Sequence, residues 1–315
     1  MECIHCGAPG HEGYGEVLST REIMVIVEDL AALGVKRFLA TGGEPLVRPD
    51  MLDVLQIAND CGRETGFSTN GLAGSAENIG RIVRVADSIQ VSVDGTAKTH
   101  DEIRKTPGAF SGAIHALRLL KDHGCRQSCM TTIVSPLNLY EIGDLYRIAK
   151  ESADLWRVGA VMPVGRAAGN AALFLSDGQL RSLLDFLAGK MGDGFPVLVG
   201  ENLGWLGPDY DRKIHRQDFF FCGAGTISCC IGADGRVRGC PELPAEEEYI
   251  AGDLRKETFT GIWERGQFSC RNNGFPPISM ECRKCTELDL CRGGCQVMRL
   301  GDMHCTKKRV ENTGS

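Results

Sequence analysis

Residues 36–45 read KRFLATGGEP, a short apolar stretch that runs directly into a Gly-Gly-Glu-Pro turn. Residues 36–41 predict a buried strand, because an apolar run of this length is bounded by glycine on both sides. Upstream, residues 19–22 read STRE, which is typical of a helix capping box, and an amphipathic run continues to Gly34. The stretch is therefore one strand in an alternation of helices and strands.

This alternation continues to about residue 190. Strands are predicted at 36–41, 64–69, 88–93, 127–134 and 156–162, and helices at 51–60, 77–86, 110–123, 139–150 and 180–187. Strands that alternate with helices predict an α/β fold with a parallel sheet. Periodicity does not separate a doubly wound sheet from an incomplete (β/α) TIM-like barrel. In both folds ligands bind at the carboxyl ends of the strands.

Beyond about residue 205 the pattern dissolves into Gly, Pro, Cys and charged residues. The 315 residues are therefore predicted to form two domains, an α/β domain at 1–200 and a small Cys-rich domain at 201–315.

The composition excludes some classes of partner. The net charge of −6 argues against nucleic acid as a partner. No apolar run approaches the roughly 20 residues of a membrane helix, so we expect no membrane contact and a cytoplasmic location.

The chain has 15 cysteines, ten of them between Cys222 and Cys305. In a reducing compartment, cysteines at short fixed spacings bind metal or take part in catalysis more often than they form disulfides.

Cys3 and Cys6 form a C-x-x-C pair, a spacing that zinc, redox and iron–sulfur sites all use. Together with the Gly-Gly-Glu-Pro turn, the pair resembles the signature of the radical S-adenosylmethionine (SAM) family. In that family, three cysteines in C-x-x-x-C-x-x-C bind three irons of a [4Fe–4S] cluster, and SAM binds the fourth iron. Cys3 and Cys6 match the last two ligands. We expect the chain to start inside a longer protein that supplies the first ligand and first barrel strand; loss of this cluster is the alternative.

The resemblance also implies a SAM pocket at the strand ends. Its candidate residues are Gly42, Gly43, Glu44, Pro45, Asn70, Ser92, Asp94 and Arg104. Thr132 and Asn138 fall where the family often lines the adenine of SAM. No catalytic residue is assigned.

The C-terminal cysteines follow the spacing C-x12-G-x4-C, then C-x2-C-x5-C-x3-C, then a last Cys. Short spacings of this kind ligate clusters or zinc. The pattern resembles the SPASM domain of radical SAM maturases, which implies two auxiliary [4Fe–4S] clusters. One would use Cys222, Cys240, Cys295 and either Cys229 or Cys230, and the other Cys282, Cys285, Cys291 and Cys305.

By this resemblance the chain generates a 5′-deoxyadenosyl radical to modify a peptide or protein, and a ferredoxin or flavodoxin supplies electrons. The sulfatase-modifying branch has an Asp directly after the cysteine that matches Cys240, whereas this chain has Pro241 and Glu242. Maturation of a tetrapyrrole or another small cofactor is the alternative within the family. A zinc-stabilised binding module without catalysis is the alternative outside it.

Overall fold

The computed structural model describes residues 1–7, 16–72, 76–214, 221–268 and 278–311. Its main sheet has six parallel strands, each paired with the next in chain order. The strands are β1 (Arg37–Ala40), β2 (Glu64–Thr69), β3 (Ser88–Ser92), β4 (Gln127–Val134), β5 (Leu155–Ala160) and β6 (Val197–Val199). A doubly wound sheet reverses its strand order at a switch point, and this order does not. The fold is therefore an incomplete (β/α) barrel.

Helices connect the strands and cover one face of the sheet. They are α1 (Thr20–Ala32), α2 (Met51–Asp60), α3 (Ala76–Val85), α4 (Ala97–Arg104), α5 (Ala109–Asp122), α6 (Ile142–Ser152), α7 (Asp177–Lys190) and α8 (Pro208–Lys213). Leu117 of α5 and Leu145 of α6 pack with Ile89, Met130 and Trp156 of the strands in one hydrophobic core. Burial of these apolar side chains stabilises the sheet. The strand ends lie outside this core and are therefore available for polar residues.

The C-terminal part contains a three-stranded antiparallel sheet and short helices. Its strands are β7 (Cys230–Ile231), β8 (Arg236–Arg238) and β9 (Ile250–Asp253). Its helices are α9 (Phe259–Arg265), α10 (Met280–Arg283), α11 (Leu288–Cys291), α12 (Gln296–Arg299) and α13 (Thr306–Glu311). Val237, Ala251 and Ile262 pack against Leu30 of α1, which attaches this sheet to the barrel.

Among the strands and α-helices up to residue 200, β6 and α4 are not predicted by the sequence analysis. The strand β6 has only three residues, too few for a periodic pattern to be recognised. The predicted strands at 64–69 and 127–134 have the same bounds in the structure. Across the described part of the chain, no helix combines the length and apolar character needed to cross a membrane.

Candidate functional site

The segment that carries Cys3 and Cys6 is held by backbone hydrogen bonds from two loops of the barrel. Ile4 N donates to Ile103 O at the end of α4, at 2.9 Å. Arg166, in the loop after β5, donates from its backbone N to Cys6 O at 2.9 Å. The same arginine donates from Nε to Cys3 O, also at 2.9 Å. The two thiols are therefore fixed at the edge where strands β3 and β5 end.

A buried ion pair lies directly beside Cys3. Arg104 donates from Nε and Nη2 to Asp94 Oδ2 at 2.7 and 2.5 Å, and its Nη1 is 3.7 Å from Cys3 Sγ. The other oxygen of Asp94 accepts from Ile133 N at 2.9 Å, and His5 Nε2 is 3.3 Å from Oδ2. Burial by itself raises the pKa of Asp94, but the charges of Arg104 and His5 outweigh it and hold this pKa well below its usual value.

Asp94 and Arg104 are predicted SAM ligands, and the structure pairs them with each other. Their charges compensate inside the protein, and the guanidinium also faces the thiol of Cys3. A cation beside a thiolate stabilises it, which suits a cluster ligand. We therefore assign this pair to the positioning of Cys3.

The Gly-Gly-Glu-Pro turn joins the ends of β1 and β2. Both carboxylate oxygens of Glu44 accept from Thr69 Oγ1, at 2.9 and 3.0 Å, and one also accepts from Asn70 N at 2.8 Å. Gly42 has φ +124°, a conformation that favours glycine. Gly42 and Gly43 are exposed, so their backbone is open to a ligand, whereas Pro45 is buried.

Two other strand ends carry the remaining predicted SAM ligands. Asn70 follows β2, and its Oδ1 accepts from Leu72 N at 2.8 Å. Ser92 is the last residue of β3 and is in register with Thr131 of β4. Both residues are half-buried and lie at the carboxyl edge of the sheet, as the fold requires of ligand-binding residues.

Thr132 and Asn138, which fall where the family often lines the adenine, make internal hydrogen bonds. Thr132 Oγ1 donates to Val93 O at 2.7 Å and accepts from Trp156 Nε1 at 2.9 Å. Asn138 Nδ2 donates to Asp94 O at 2.8 Å and to Ile133 O at 3.0 Å. Both side chains are fully buried. Their hydrogen bonds join the ends of β3 and β4 and connect β4 to β5.

Four C-terminal cysteines form what we call the first thiol set: Cys222, Cys230, Cys240 and Cys295. A hydrogen bond with Cys295 lowers the pKa of Cys222 to about 6. Burial raises the pKa of Cys240, and the neighbouring Cys222 and Cys230 raise it further. The four thiols therefore lie close enough to influence one another's pKa.

The sequence leaves Cys229 and Cys230 as alternative ligands, and the structure separates them. Cys229 packs against the hydrophobic core formed by Val237, Ala251 and Phe259. Cys230 lies among the other thiols, where it raises the pKa of Cys240. Cys230 lies between Cys229 and Ile231, which both pack against this core, and successive side chains of extended backbone point to opposite faces. This arrangement favours Cys230.

The second thiol set contains Cys282, Cys285, Cys291 and Cys305. Burial raises the pKa of Cys291 and of Cys305, and the nearby Cys282 and Cys285 add to both increases. His304 lies at the same place, with Nε2 3.2 Å from Cys282 Sγ.

The donor chemistry of both sets fits iron–sulfur clusters. The described cysteines are free thiols, and four thiolates are the ligands that a [4Fe–4S] cluster takes. Within the described ranges, no three His, Cys, Asp or Glu side chains are grouped so that they could hold a single metal ion. Burial raises the pKa of Cys125 and Cys129, which keeps them as unreactive thiols. Cys270 lies outside the described residues.

Glu242 is a residue that the sequence analysis names only as a departure from the sulfatase-modifying branch. Its Oε2 is buried without a hydrogen-bond partner among the described residues. It lies so close to Gly7 that a Cβ atom there would be 2.2 Å away. The C-terminal part of the chain therefore contacts the segment of Cys3 and Cys6 directly, a proximity that no local pattern reveals.

Comparison with known proteins identifies the family. Residues 1–149 match the model of the radical SAM superfamily, and residues 222–295 match the SPASM iron-sulfur cluster-binding domain. The chain is 30% identical over 305 residues to mycofactocin maturase MftC of Mycobacterium ulcerans (strain Agy99), an alignment that spans 95% of this chain and 80% of the relative. The chain belongs to the radical SAM family. It is an enzyme of the branch that carries a SPASM domain.

Other relatives and solved structures agree with this assignment. The chain is 26% identical over 310 residues to the AdoMet-dependent heme synthase of Methanosarcina barkeri (strain Fusaro / DSM 804), covering 93% of this chain and 87% of the relative. The fold resembles that of Streptococcus suis SuiB bound to the precursor peptide SuiA, with TM-score 0.75, 14% identity and coverage of 96% and 70%. It also resembles native anSMEcpe with bound AdoMet, with TM-score 0.74, 18% identity and coverage of 96% and 87%.

The predicted family, the incomplete barrel of radical SAM type and the enzyme class are thereby confirmed. The iron–sulfur clusters and SAM that the family uses as cofactors are confirmed with them.

Removal of one partner of the buried ion pair tests its structural importance. In the Asp94→Asn variant the Arg104 charge stays buried without a counter-ion, so we expect a loss of about 3–5 kcal/mol in the free energy of unfolding. Urea denaturation under anaerobic conditions measures it. The control is Asp144→Asn, which breaks an exposed pair with Arg147 and should cost less than about 0.5 kcal/mol. Equal small losses in both variants would contradict the assignment.

Alanine variants of the two adjacent cysteines test the first thiol set. We expect Cys230→Ala to lose about four irons per chain relative to the unsubstituted protein, because one ligand of a cluster is removed. Cys229→Ala should keep its iron, because Cys229 packs against the hydrophobic core. Iron assay after anaerobic reconstitution measures both. Iron loss confined to Cys229→Ala would show that the ligand assignment is reversed.

Proposed function

We propose that this radical SAM enzyme uses a 5′-deoxyadenosyl radical to modify a peptide or protein substrate. The observation that carries the proposal is the similarity to MftC, a maturase, over 95% of this chain. The fold that it shares with SuiB, which was solved with a precursor peptide, supports the same substrate class.

The strand-end residues would hold the cofactors of the reaction. We propose that Cys3 and Cys6 bind the SAM cluster and that Gly42, Gly43, Glu44, Pro45, Asn70 and Ser92 bind SAM. The bound cluster supplies the electron that breaks a C–S bond of SAM. Arg104 keeps a positive charge beside the Cys3 thiolate, and Asp94 orients this arginine. Burial of Cys3 keeps water away from the sulfur.

The C-terminal thiol sets would hold the two auxiliary clusters. We propose Cys222, Cys230, Cys240 and Cys295 for the first and Cys282, Cys285, Cys291 and Cys305 for the second. Both the division of the chain near residue 200 and the use of ferredoxin or flavodoxin as electron donor belong to this proposal. So does a cytoplasmic location, because a reducing compartment keeps ligand cysteines as thiols.

Tetrapyrrole maturation is the second candidate. The observation that favours it is the similarity to an AdoMet-dependent heme synthase at 26% identity. The two candidates share the radical-forming site and differ in the substrate, so a substrate assay separates them.

We expect the anaerobically reconstituted enzyme, given SAM, a low-potential reductant and a synthetic precursor peptide, to form 5′-deoxyadenosine and to change the peptide's mass. Liquid chromatography with mass spectrometry follows both products. The Cys6→Ala variant is the control and should form neither, because a ligand of the SAM cluster is removed. Conversion of an iron coproporphyrin instead, with the peptide unchanged, would favour tetrapyrrole maturation and contradict the proposal.

A further inference from the structure

His304 is a buried side chain that the proposed reaction does not use. It precedes Cys305 in the chain, is 9% exposed, and places Nε2 3.2 Å from Cys282 Sγ. We propose that His304 donates a hydrogen bond from Nε2 to the sulfur of Cys282 and thereby raises the reduction potential of the second auxiliary cluster. The inference rests on the proposed ligation by the second thiol set, and it is independent of the peptide substrate.

The direction of the hydrogen bond follows from the chemistry of the two groups. A cysteine that ligates iron is a thiolate and has no proton to donate. The imidazole must therefore be the donor, with its proton on Nε2. Its Nδ1 is buried and makes no hydrogen bond to any described residue, and Asp302 Oδ1 is 3.7 Å away. The exposed Asp302 carboxylate is therefore too far from Nδ1 for a hydrogen bond, whereas Nε2 is within hydrogen-bond distance of Cys282 Sγ.

The backbone around His304 holds the ring in place. The carbonyl oxygen of His304 lies so close to Gly294 that a Cβ atom there would be 2.6 Å away. Gly294 has φ +68° and directly precedes Cys295 of the first thiol set. On the other side, Thr306 Oγ1 donates to Leu203 O. The histidine is therefore held between the two thiol sets by the close backbone approach to Gly294 on one side and by the Thr306 hydrogen bond on the other.

A donor at this position affects electron transfer in a known direction. Hydrogen bonds to the sulfurs are among the factors that set cluster potentials. Reduction adds negative charge to a cluster, and an N–H dipole that points at a ligand sulfur stabilises this charge. The reduced state is therefore favoured, and the second cluster accepts an electron more readily than it would without His304.

Three variants of the full chain test the proposal. His304→Leu removes the donor, His304→Gln retains an N–H group on a flexible side chain, and His115→Leu is the control, since His115 is exposed on α5. Each protein is reconstituted anaerobically, its iron is counted, and its clusters are titrated with reductant while electron paramagnetic resonance records each reduced signal. We expect His304→Leu to lower the midpoint potential of one cluster, His304→Gln to recover part of the shift, and His115→Leu to leave every potential unchanged.

Unchanged potentials in His304→Leu would overturn the proposal. Loss of about four irons per chain from His304→Leu would also overturn it, because His304 would then be required for cluster binding itself. Pulsed resonance on the unsubstituted protein with ¹⁵N-labelled histidine gives a second test that does not depend on a variant. A weakly coupled histidine nitrogen supports the hydrogen bond, and a strongly coupled, iron-bound nitrogen contradicts it. Failure of the Cys282, Cys285, Cys291 and Cys305 set to hold iron would refute the ligation separately.

Discussion

The buried pair of Asp94 and Arg104 is the interaction on which the N-terminal site depends. The carboxylate of Asp94 lies where β3 ends, and it binds Arg104 from α4, Ile133 from β4 and His5 from the N-terminal segment. Buried charges cost much free energy unless they are paired and hydrogen-bonded, and here each oxygen of the carboxylate has a donor. The Asp94 carboxylate thus hydrogen-bonds the end of β4 and also holds Arg104, whose guanidinium faces Cys3. The same ion pair therefore contributes to the fold and positions a cation beside the proposed cluster ligand.

The C-terminal part depends on a different constraint. Four of its helices have four to six residues, too few to be stable alone in water. Its apolar side chains form two small clusters rather than one core. One contains Leu243, Tyr249, Val297 and Met298 with Val164 from the barrel side, and the other packs against Leu30 of α1. Metal binding to sites of this kind contributes directly to folding. We therefore infer that the auxiliary clusters stabilise the domain that holds them, in addition to any part in electron transfer.

The sequence alone could predict the barrel and the metal-ligating residue types. The strands at 64–69 and 127–134 are long enough, and sufficiently bounded by helix ends, for their limits to be read directly. Cysteine spacing likewise predicts seven of the C-terminal ligands and leaves the eighth open between Cys229 and Cys230. The sequence could not predict the tertiary contacts. The charges of Asp94 and Arg104 compensate each other only because α4 turns back on β3. Similarly, the choice between Cys229 and Cys230 depends on which of the two side chains packs against the hydrophobic core. The contacts of Glu242 and His304 join segments that are far apart in the sequence.

The central claim is that the C-terminal thiols hold iron–sulfur clusters that serve a SAM-cleaving centre at the barrel edge. The most direct test is to count iron, acid-labile sulfide and zinc per chain after anaerobic reconstitution. We expect about eight irons and eight sulfides from the two thiol sets, rising to about twelve of each where the SAM cluster is also loaded, with little zinc. About one or two zinc ions per chain, with little iron and sulfide, would contradict it and favour a structural zinc protein.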